Sequence, residues 1–403
     1  MDFDLLAYDI YVGFDVGKHS HHAVALRAAD QQVILNRNIE QDEKDIRDTL
    51  NELEGFGRLL VAVDQKGSVG RLLVATVKDA GIDIGFLTPS DFHAFSKGYT
   101  EIKSDAKDAY IIADIAMRFT DRLSAIIDFD EAVEALKVKC TLREALVRDN
   151  VQGKNRIHSL LVQTHPAFEA CIGRSNLNNS LYLAILAHYG GPCGIRSAGQ
   201  KRLRNYIAKF PYYGGKADTI SRRIFDAISC QTVLLPGSIA REDAIKVTAS
   251  AIMLRKQEIE VIEKEIKALY QGFEEAVILS SMPGIGKILG AVILSETGDI
   301  SQYRDAGHLA AYAGVAPSKR QSGTTLNYAR RKIKCNRRLK NAFCESARIS
   351  IRCDEWSAWY YQKKRAEGKK HLQAIVALAR HRTDIIYAML KTGSLYEPKT
   401  MTR

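Results

Sequence analysis

The sequence predicts a mixed α/β domain followed by a mainly helical remainder, and three observations carry that expectation. The first third reads as three strand-like runs and then alternating helix and strand. Residues 131–168 and 240–275 are charged and helical in pattern. At 403 residues the chain is too long for one ordinary core, which suggests two or three domains. The expected segments are 1–125, 126–275 and 276–403.

The runs YVGFDVG (11–17), HAVALRA (22–28) and QVILNRN (32–38) form a meander, the latter two separated by a polar Ala-Asp-Gln turn. A helical stretch from Glu43 to Leu53 leads to RLLVAVD (58–64), a helix near Val69 to Ala80, and DIGFLTP (83–89). That order predicts a mixed sheet covered by helices. An acid inside the first strand and one at the end of the fourth become neighbours there, because strand ends open a crevice in which ligands gather. Asp15 and Asp64 fit this description; the alternative is a strand-end carboxylate facing water or capping a turn.

In KSDAKDAYIIAD (103–114) a serine suited to helix capping precedes an apolar run. Asp105 and Asp108, at i and i+3, share a helical face about 5–6 Å apart at Cβ. Both also suit a first helical turn through the dipole alone. Four carboxylates on two strands and one helix are a donor set for a pair of hard cations, Mg²⁺ being the expected choice. Two such ions clamp the attacking and leaving oxygens of a phosphodiester.

Fifty-eight Lys and Arg against 47 Asp and Glu leave a net +11, which favours a polyanionic partner, nucleic acid or an acidic membrane. The longest apolar runs, such as SLYLAILAHY (180–189), are too short to span a bilayer. The acidic start MDFDLLAYDI lacks the basic region of a secretion signal. A cytoplasmic protein with no membrane partner is expected. Seven cysteines without a CxxC pair argue against a secreted disulfide framework. Cys335, Cys344 and Cys353 recur every nine residues, which turns successive thiols to opposite helix faces, and read as buried small hydrophobes.

Ile245, Ile252, Ile259 and Ile266 recur every seven residues, with Ile262 and Leu269 three beyond the last two. This a/d seam predicts a coiled coil between protomers or an amphipathic helix packed within one chain. Segment 169–239 is broken repeatedly by Gly, Pro and Asn and reads as an insertion. Its Tyr206, Tyr212 and Tyr213, near Lys201, Arg202 and Arg204, suit nucleic-acid contact or plain packing.

SSMPGIGKILGAVILSETGD (280–299) sets Pro-Gly-Ile-Gly between two helix-prone runs. It resembles a helix-hairpin-helix, in which Gly284, Gly286 and Lys287 would touch backbone phosphate without reading sequence; a plain interhelical turn is the alternative. Residues 316–340 hold nine Lys and Arg and no acid. Lys319, Arg320, Arg330, Arg331, Lys332, Lys334, Arg337 and Arg338 are the expected nucleic-acid contacts in that run, whose alternative is a solvated face. Ser318, Ser322, Thr324 and Thr325 sit among these cations, which would stabilise a phosphorane while a hydroxyl attacks. Composition alone prefers none of the four. Trp356, Trp359, Tyr360 and Tyr361, with Lys363, Lys364 and Arg365, read as core with a basic rim rather than a stacking platform.

GFDVGK, VAVDQKG and KSDAKDA, in that order, resemble the DEDD acidic motif of a RuvC-like, ribonuclease-H-fold domain. Their particular versions resemble the transposases of insertion-sequence family one-hundred-and-ten, the Piv-related DNA recombinases. The family's second acid is usually Glu, where this chain has Asp64. GVAPSKRQSG resembles the family's Gly-x-x-Pro segment leading to a Ser-Gly pair whose serine is the nucleophile, which puts that role on Ser322, with Gly323 after it. KCNRRLKNAF resembles the family's basic helix, with Cys335 where a Gly is usual, and EGKKHLQAIVALARHRTDIIYAMLKTG (367–393) its closing segment.

The resemblance implies a RuvC-like domain over 1–125, a helical coiled-coil region over 126–275 with the insertion at about 169–239, and a serine-recombinase transposase domain over 276–403. It implies DNA strand exchange through a covalent phosphoserine on Ser322, assisted by Mg²⁺ held by Asp15, Asp64, Asp105 and Asp108. The implied partners are donor and target DNA, a noncoding guide RNA, and further copies of the chain in a dimer or tetramer with a composite active site. The implied location is the nucleoid-associated bacterial or archaeal cytosol. Three rivals stand beside it. One is a RuvC-like nuclease using metal-activated water, and another a nucleic-acid-binding scaffold without catalysis. The third, an actin-like sugar kinase, rests on GFDVGKH resembling a first phosphate loop, and lacks a second such loop or an adenosine motif.

Overall fold

The computed structural model describes residues 7–99, 104–126, 131–316, 318–322, 326–330 and 335–398, the side chains of 318–322 and 326–330 aside. The chain divides into two compact units, Met1–Asp128 and Phe129–Arg403. The sequence-based segments 126–275 and 276–403 thus fall within one unit.

In the first unit the meander is β1 (Ile10–Asp15), β2 (Ser20–Arg27) and β3 (Val33–Glu40). There follow α1 (Glu43–Glu54), β4 (Leu59–Val63), α2 (Arg71–Asp79), β5 (Asp83–Phe86), α3 (Pro89–Ser96), α4 (Asp105–Arg118) and the short β6 (Ser124–Ala125). The six strands lie in the order β3-β2-β1-β4-β5-β6. β1 is antiparallel to β2 and parallel to β4, so the first strand sits at mid-sheet. All five residues of β4 are buried because both faces of the sheet are covered, the pattern of a central parallel strand. Ile10, Val12 and Phe14 pack with α1 and α2 on one face. Val24, Leu26, Leu60 and Ala62 lie among the residues that pack with α4 on the other.

Gly13 explains how α4 approaches. A Cβ there would stand 2.3 Å from the Ala109 carbonyl oxygen and 2.4 Å from the Ala113 nitrogen. Only a strand residue without a side chain lets the helix backbone settle on β1. Ser104 caps the helix, accepting from the Lys107 N–H at 3.3 Å.

The second unit begins with two long helices, α5 (Glu131–Thr164) and, after α6 (Pro166–Asn176), α7 (Ser180–Tyr189), α8 (Pro192–Ala198), α9 (Gln200–Ala208) and α10 (Ala217–Ser229), α11 (Ser238–Tyr270). α5 and α11 run antiparallel. Arg143 pairs with Glu263 at 2.7 Å and Lys139 with Glu265 at 2.8 Å, while Arg241 reaches Gln163 at 3.3 Å. The a/d seam packs within the chain: Ile245, Ile252 and Ile266 are fully buried and Ile262 nearly so. Of the two readings of that seam, a helix packed within one chain is the one observed, because the apolar stripe is spent on α5 and on two cores. One core unites Ile245 and Ile252 with the helices of the insertion; the other unites Ile262, Ile266 and Tyr270 with the C-terminal helices.

Those C-terminal elements are α12 (Glu274–Ser281), α13 (Lys287–Thr297), α14 (Ala306–Ala313), the hairpin β7 (Ser318–Ser322) and β8 (Leu326–Arg330), α15 (Arg337–Cys353), α16 (Glu355–Ala366) and α17 (His371–Thr392). Cys140 is the buried thiol; Cys335 and Cys344 are half-buried and Cys353 is exposed, none of the four in a disulfide, so the nine-residue repeat is not a buried set. No helix among the described residues is long and apolar enough to cross a membrane.

Candidate active site

Strand order and the α4 contact bring the four predicted acids to one edge of the first unit. Asp15 ends β1, Asp64 directly follows β4 on the neighbouring parallel strand, and Asp105 and Asp108 occupy the first turn of α4. The tips of β1 and β4 are tied together: the Val16 N–H donates to Asp64 Oδ1 at 3.3 Å, and Gln65 Nε2 donates to the Val16 carbonyl at 3.4 Å.

Electrostatics records the convergence. The Asp15 carboxyl is pushed up to about 6, first by burial and then by the charges of Asp64, Asp105 and Asp108. His22, directly opposite Asp15 in the β1–β2 ladder, works against that rise. Asp64 is also raised, by burial and by Asp108, against the pull of the Val16 N–H and its own backbone N–H. An all-carboxylate donor set whose members repel one another is what a hard divalent cation fits, and binding it would relieve the repulsion. Among the described residues no three His, Cys, Asp or Glu side chains stand close enough together to enclose a metal ion. The acids therefore share a neighbourhood without forming a ligand shell.

Sequence reasoning missed His22, Gln65 and Gly13. The signal for His22 was the strand register, which puts it across from Asp15; for Gly13 it was a glycine at the centre of an apolar strand.

In the second unit Ser322 is the last residue of β7, paired across the hairpin with Leu326. It stands at the end of a two-stranded ribbon. Lys319 and Arg320 lie on β7 and Arg330 on β8. Gly323, Arg331, Lys332 and Lys334 lie outside the described residues. The ribbon departs from α14 and returns at α15 through neighbouring points: a Cβ on Gly314 would meet the Cys335 Cβ at 2.5 Å. The missing side chain of Gly314, at φ +69°, leaves the space that Cys335 occupies. Asn336, the cap of α15, donates to Glu296 Oε2 at 2.8 Å and to the Tyr312 hydroxyl at 3.0 Å.

Arg337 is exposed, whereas Arg338 is held by Glu144 at 2.9 Å, by Glu296 at 3.3 Å and by the Thr141 hydroxyl. Any phosphate reaching Arg338 competes with these partners. The Pro-Gly-Ile-Gly turn joins α12 to α13 as a helical hairpin. Gly284 (φ +86°) is required by packing, since a Cβ would lie 2.7 Å from the Ser346 carbonyl. Gly286 and Lys287 are exposed at the start of α13, which has no side-chain cap. Trp356, Tyr360 and Tyr361 pack against the C-terminal core, and Trp359 is 42% exposed with Lys363 Nζ 5.1 Å from its ring centre.

Residues 12–166 match the DEDD transposase model of the IS110 family, and residues 276–362 the model described as transposase IS116/IS110/IS902 family. The uncharacterized 43.6 kDa protein of insertion element IS110 from Streptomyces coelicolor is 34% identical over 399 residues, 98% of each chain. The 42 kDa protein of IS900 from Mycobacterium paratuberculosis is 32% identical over 406 residues, covering 98% of this chain and 99% of its own. The chain belongs to the IS110 family of transposases. A pilin gene-inverting protein of Moraxella bovis is 32% identical over 127 residues, 31% of this chain and 39% of its own. As an IS110-family transposase the protein is a DNA-cleaving and strand-transferring enzyme. Its DEDD domain suggests use of a divalent metal.

Proposed function

We propose that this transposase exchanges DNA strands through a covalent phosphoserine on Ser322. The Ser322 Oγ–P bond forms as a P–O ester bond of the DNA breaks; the hydroxyl gives up its proton and the departing oxygen gains one. One ester replaces another, so the bond energy is conserved for rejoining. Asp15, Asp64, Asp105 and Asp108 would hold Mg²⁺, expected as two ions, whose chemistry when bound is charge stabilisation at the phosphate and the leaving oxygen. Lys319, Arg320, Arg330, Arg331, Lys332, Lys334 and Arg337 would hold the DNA backbone, with Gly286 and Lys287 as a second phosphate contact.

The observation that carries the acidic half is the elevation of Asp15 to about 6 by burial and three neighbouring carboxylates. The serine half is supported by the place of Ser322 at the end of a ribbon whose strands carry Lys319, Arg320 and Arg330. Action as a homo-oligomer with a composite site and a noncoding guide RNA completes the reading. The outer face of α11 supports self-association: Val247, Leu254 and Val261, seven residues apart, are 70%, 58% and 55% exposed.

The test is a Ser322→Ala variant incubated with element-end DNA and Mg²⁺. The expected result is loss of strand exchange together with loss of a denaturation-resistant protein–DNA adduct that the unaltered chain forms. Full cleavage by the variant would instead support a RuvC-like nuclease using water, and binding with no Mg²⁺-dependent reaction in either protein would support a scaffold.

A further inference from the structure

Where the insertion meets α5 and α11, a cationic feature lies outside the acids, the ribbon and the hairpin turn. Lys154 of α5 donates from Nζ to Asn178 Oδ1 at 2.7 Å. Lys256 of α11 donates to the Asn178 backbone carbonyl at 2.8 Å and lies 3.5 Å from Ser180 Oγ. Two ammonium groups from different helices therefore converge on one turn. Among the described residues neither has a carboxylate within ion-pair distance; Glu260, one turn along α11, attracts Lys256 from farther away. Both lysines are half-buried, and both ammonium groups are lowered from the usual lysine range by burial, Lys256 also by the charge of Lys154. Partial desolvation beside a like charge is unfavourable unless an anion offsets it.

The same turn leads to an aromatic. Asn179 Nδ2 donates to the Tyr213 hydroxyl, which ties the turn to the segment before α10. The adjoining Tyr212 is 90% exposed, whereas Tyr206 is stacked on His188 with ring centres 4.6 Å apart. Of the three tyrosines read from the sequence as contact or packing, Tyr206 packs and Tyr212 is presented to solvent.

We propose that Lys154, Lys256 and the Asn178–Ser180 turn form a phosphodiester-binding site, and that Tyr212, next in the chain to the tyrosine bonded to that turn, stacks on an unpaired base. The ligand class is a single-stranded nucleic acid, gripped by its backbone and tolerated in any sequence. The site gives the insertion a role and is independent of the chemistry proposed for Ser322 and the acids.

The experiment uses the full chain, EDTA buffer and fluorescent single-stranded oligonucleotides of mixed sequence, one of DNA and one of RNA, titrated across a salt series. Each phosphate contact contributes about 0.7 to the slope of log affinity against log salt on a single strand. The Lys154→Gln, Lys256→Gln double variant is expected to lose about 1.4 of that slope, which is roughly a 25-fold weakening at 0.1 M salt if the term vanishes near 1 M. Arginine at both positions should restore the slope, which a purely structural role for the lysines would not predict. Tyr212→Ala should weaken binding about 5- to 150-fold with the slope unchanged. Wild-type protein supplies a measurement that needs no variant to fold: bound oligonucleotide should protect Lys154 and Lys256 from amine acylation read by mass spectrometry. The oligonucleotide that protects identifies the source as DNA or RNA. Unprotected lysines with both strands bound, or an unchanged slope in a folded double variant, overturns the proposal. Because no metal or turnover is involved, failure of the strand-exchange reading leaves this result untouched.

Discussion

Replacing Gly13 by alanine tests how the acidic site is assembled. The added Cβ would sit 2.3 Å from the Ala109 carbonyl oxygen, and contacts below 3.0 Å are essentially never seen, so α4 must retreat from β1 by about 0.7 Å or more. Both obstructing atoms are backbone, so no rotamer change relieves the contact. Overpacking of this kind costs about 1–3 kcal/mol. The retreat carries Asp108, the residue before Ala109, and Asp105, one turn before it, away from Asp15, and misplacement on the order of 1 Å costs roughly 100-fold in rate. Gly13→Ala should therefore lower Mg²⁺-dependent strand cleavage by about two orders of magnitude while leaving DNA affinity within twofold. Cleavage on a labelled element end, with thermal unfolding and a binding titration in parallel, reads all three quantities. A folded variant that cleaves at the unaltered rate would refute the claim that close α4–β1 packing sets the acids.

Two further outcomes follow from the same physics. Asp15 is raised from 3.8 to about 6, so the folded chain holds this proton in a window where the unfolded chain releases it, and stability falls as pH rises through that window. A shift of about 2 units is nominally about 3 kcal/mol, which we halve for solvent screening of this half-exposed carboxyl. Asp15→Asn should be inactive yet more stable than the unaltered chain by about 1–2 kcal/mol at pH 7, the gain vanishing below pH 4; equal unfolding temperatures at pH 7 would contradict the repulsion. Arg382, 1% exposed, donates to the Pro283 carbonyl at 2.5 Å and to Ser346 Oγ at 2.7 Å, holding the α12–α13 turn. Arg382→Met should cost about 1–3 kcal/mol through the unpartnered acceptors, seen as a lower urea midpoint.

Much of the first unit was legible because its signals are local. Alternating apolar runs marked the strands, Ser104 marked the start of α4, and Asp15 and Asp64 stood at strand ends. The strand end itself shifted by two residues, since Val16 leaves the ladder to bond with Asp64, and Gly17 turns close to the Ser20 carbonyl, where a Cβ would stand 2.1 Å away, rather than extend β1. What was not legible depends on distant partners. The isoleucine repeat of α11 specifies an apolar stripe but not its occupant, and α5, about a hundred residues earlier, takes it. Arg338 reads as one more cation in a basic run until Glu144 and Glu296 are seen to hold it. Gly284 reads as a phosphate contact, whereas α15 takes the space its missing side chain leaves. Each miss is a contact between residues far apart in the chain, which periodicity does not encode.

The antiparallel course of α5 and α11 has a bearing on how such a chain changes over generations. Gln163 and Arg241 touch, so the five smaller helices between them leave and rejoin the scaffold at adjacent points. An excursion with neighbouring ends can lengthen, shrink or be exchanged wholesale while the paired rods on which it sits keep their register. On the roles proposed above, variation in what the excursion grips would be uncoupled from the parts that cut.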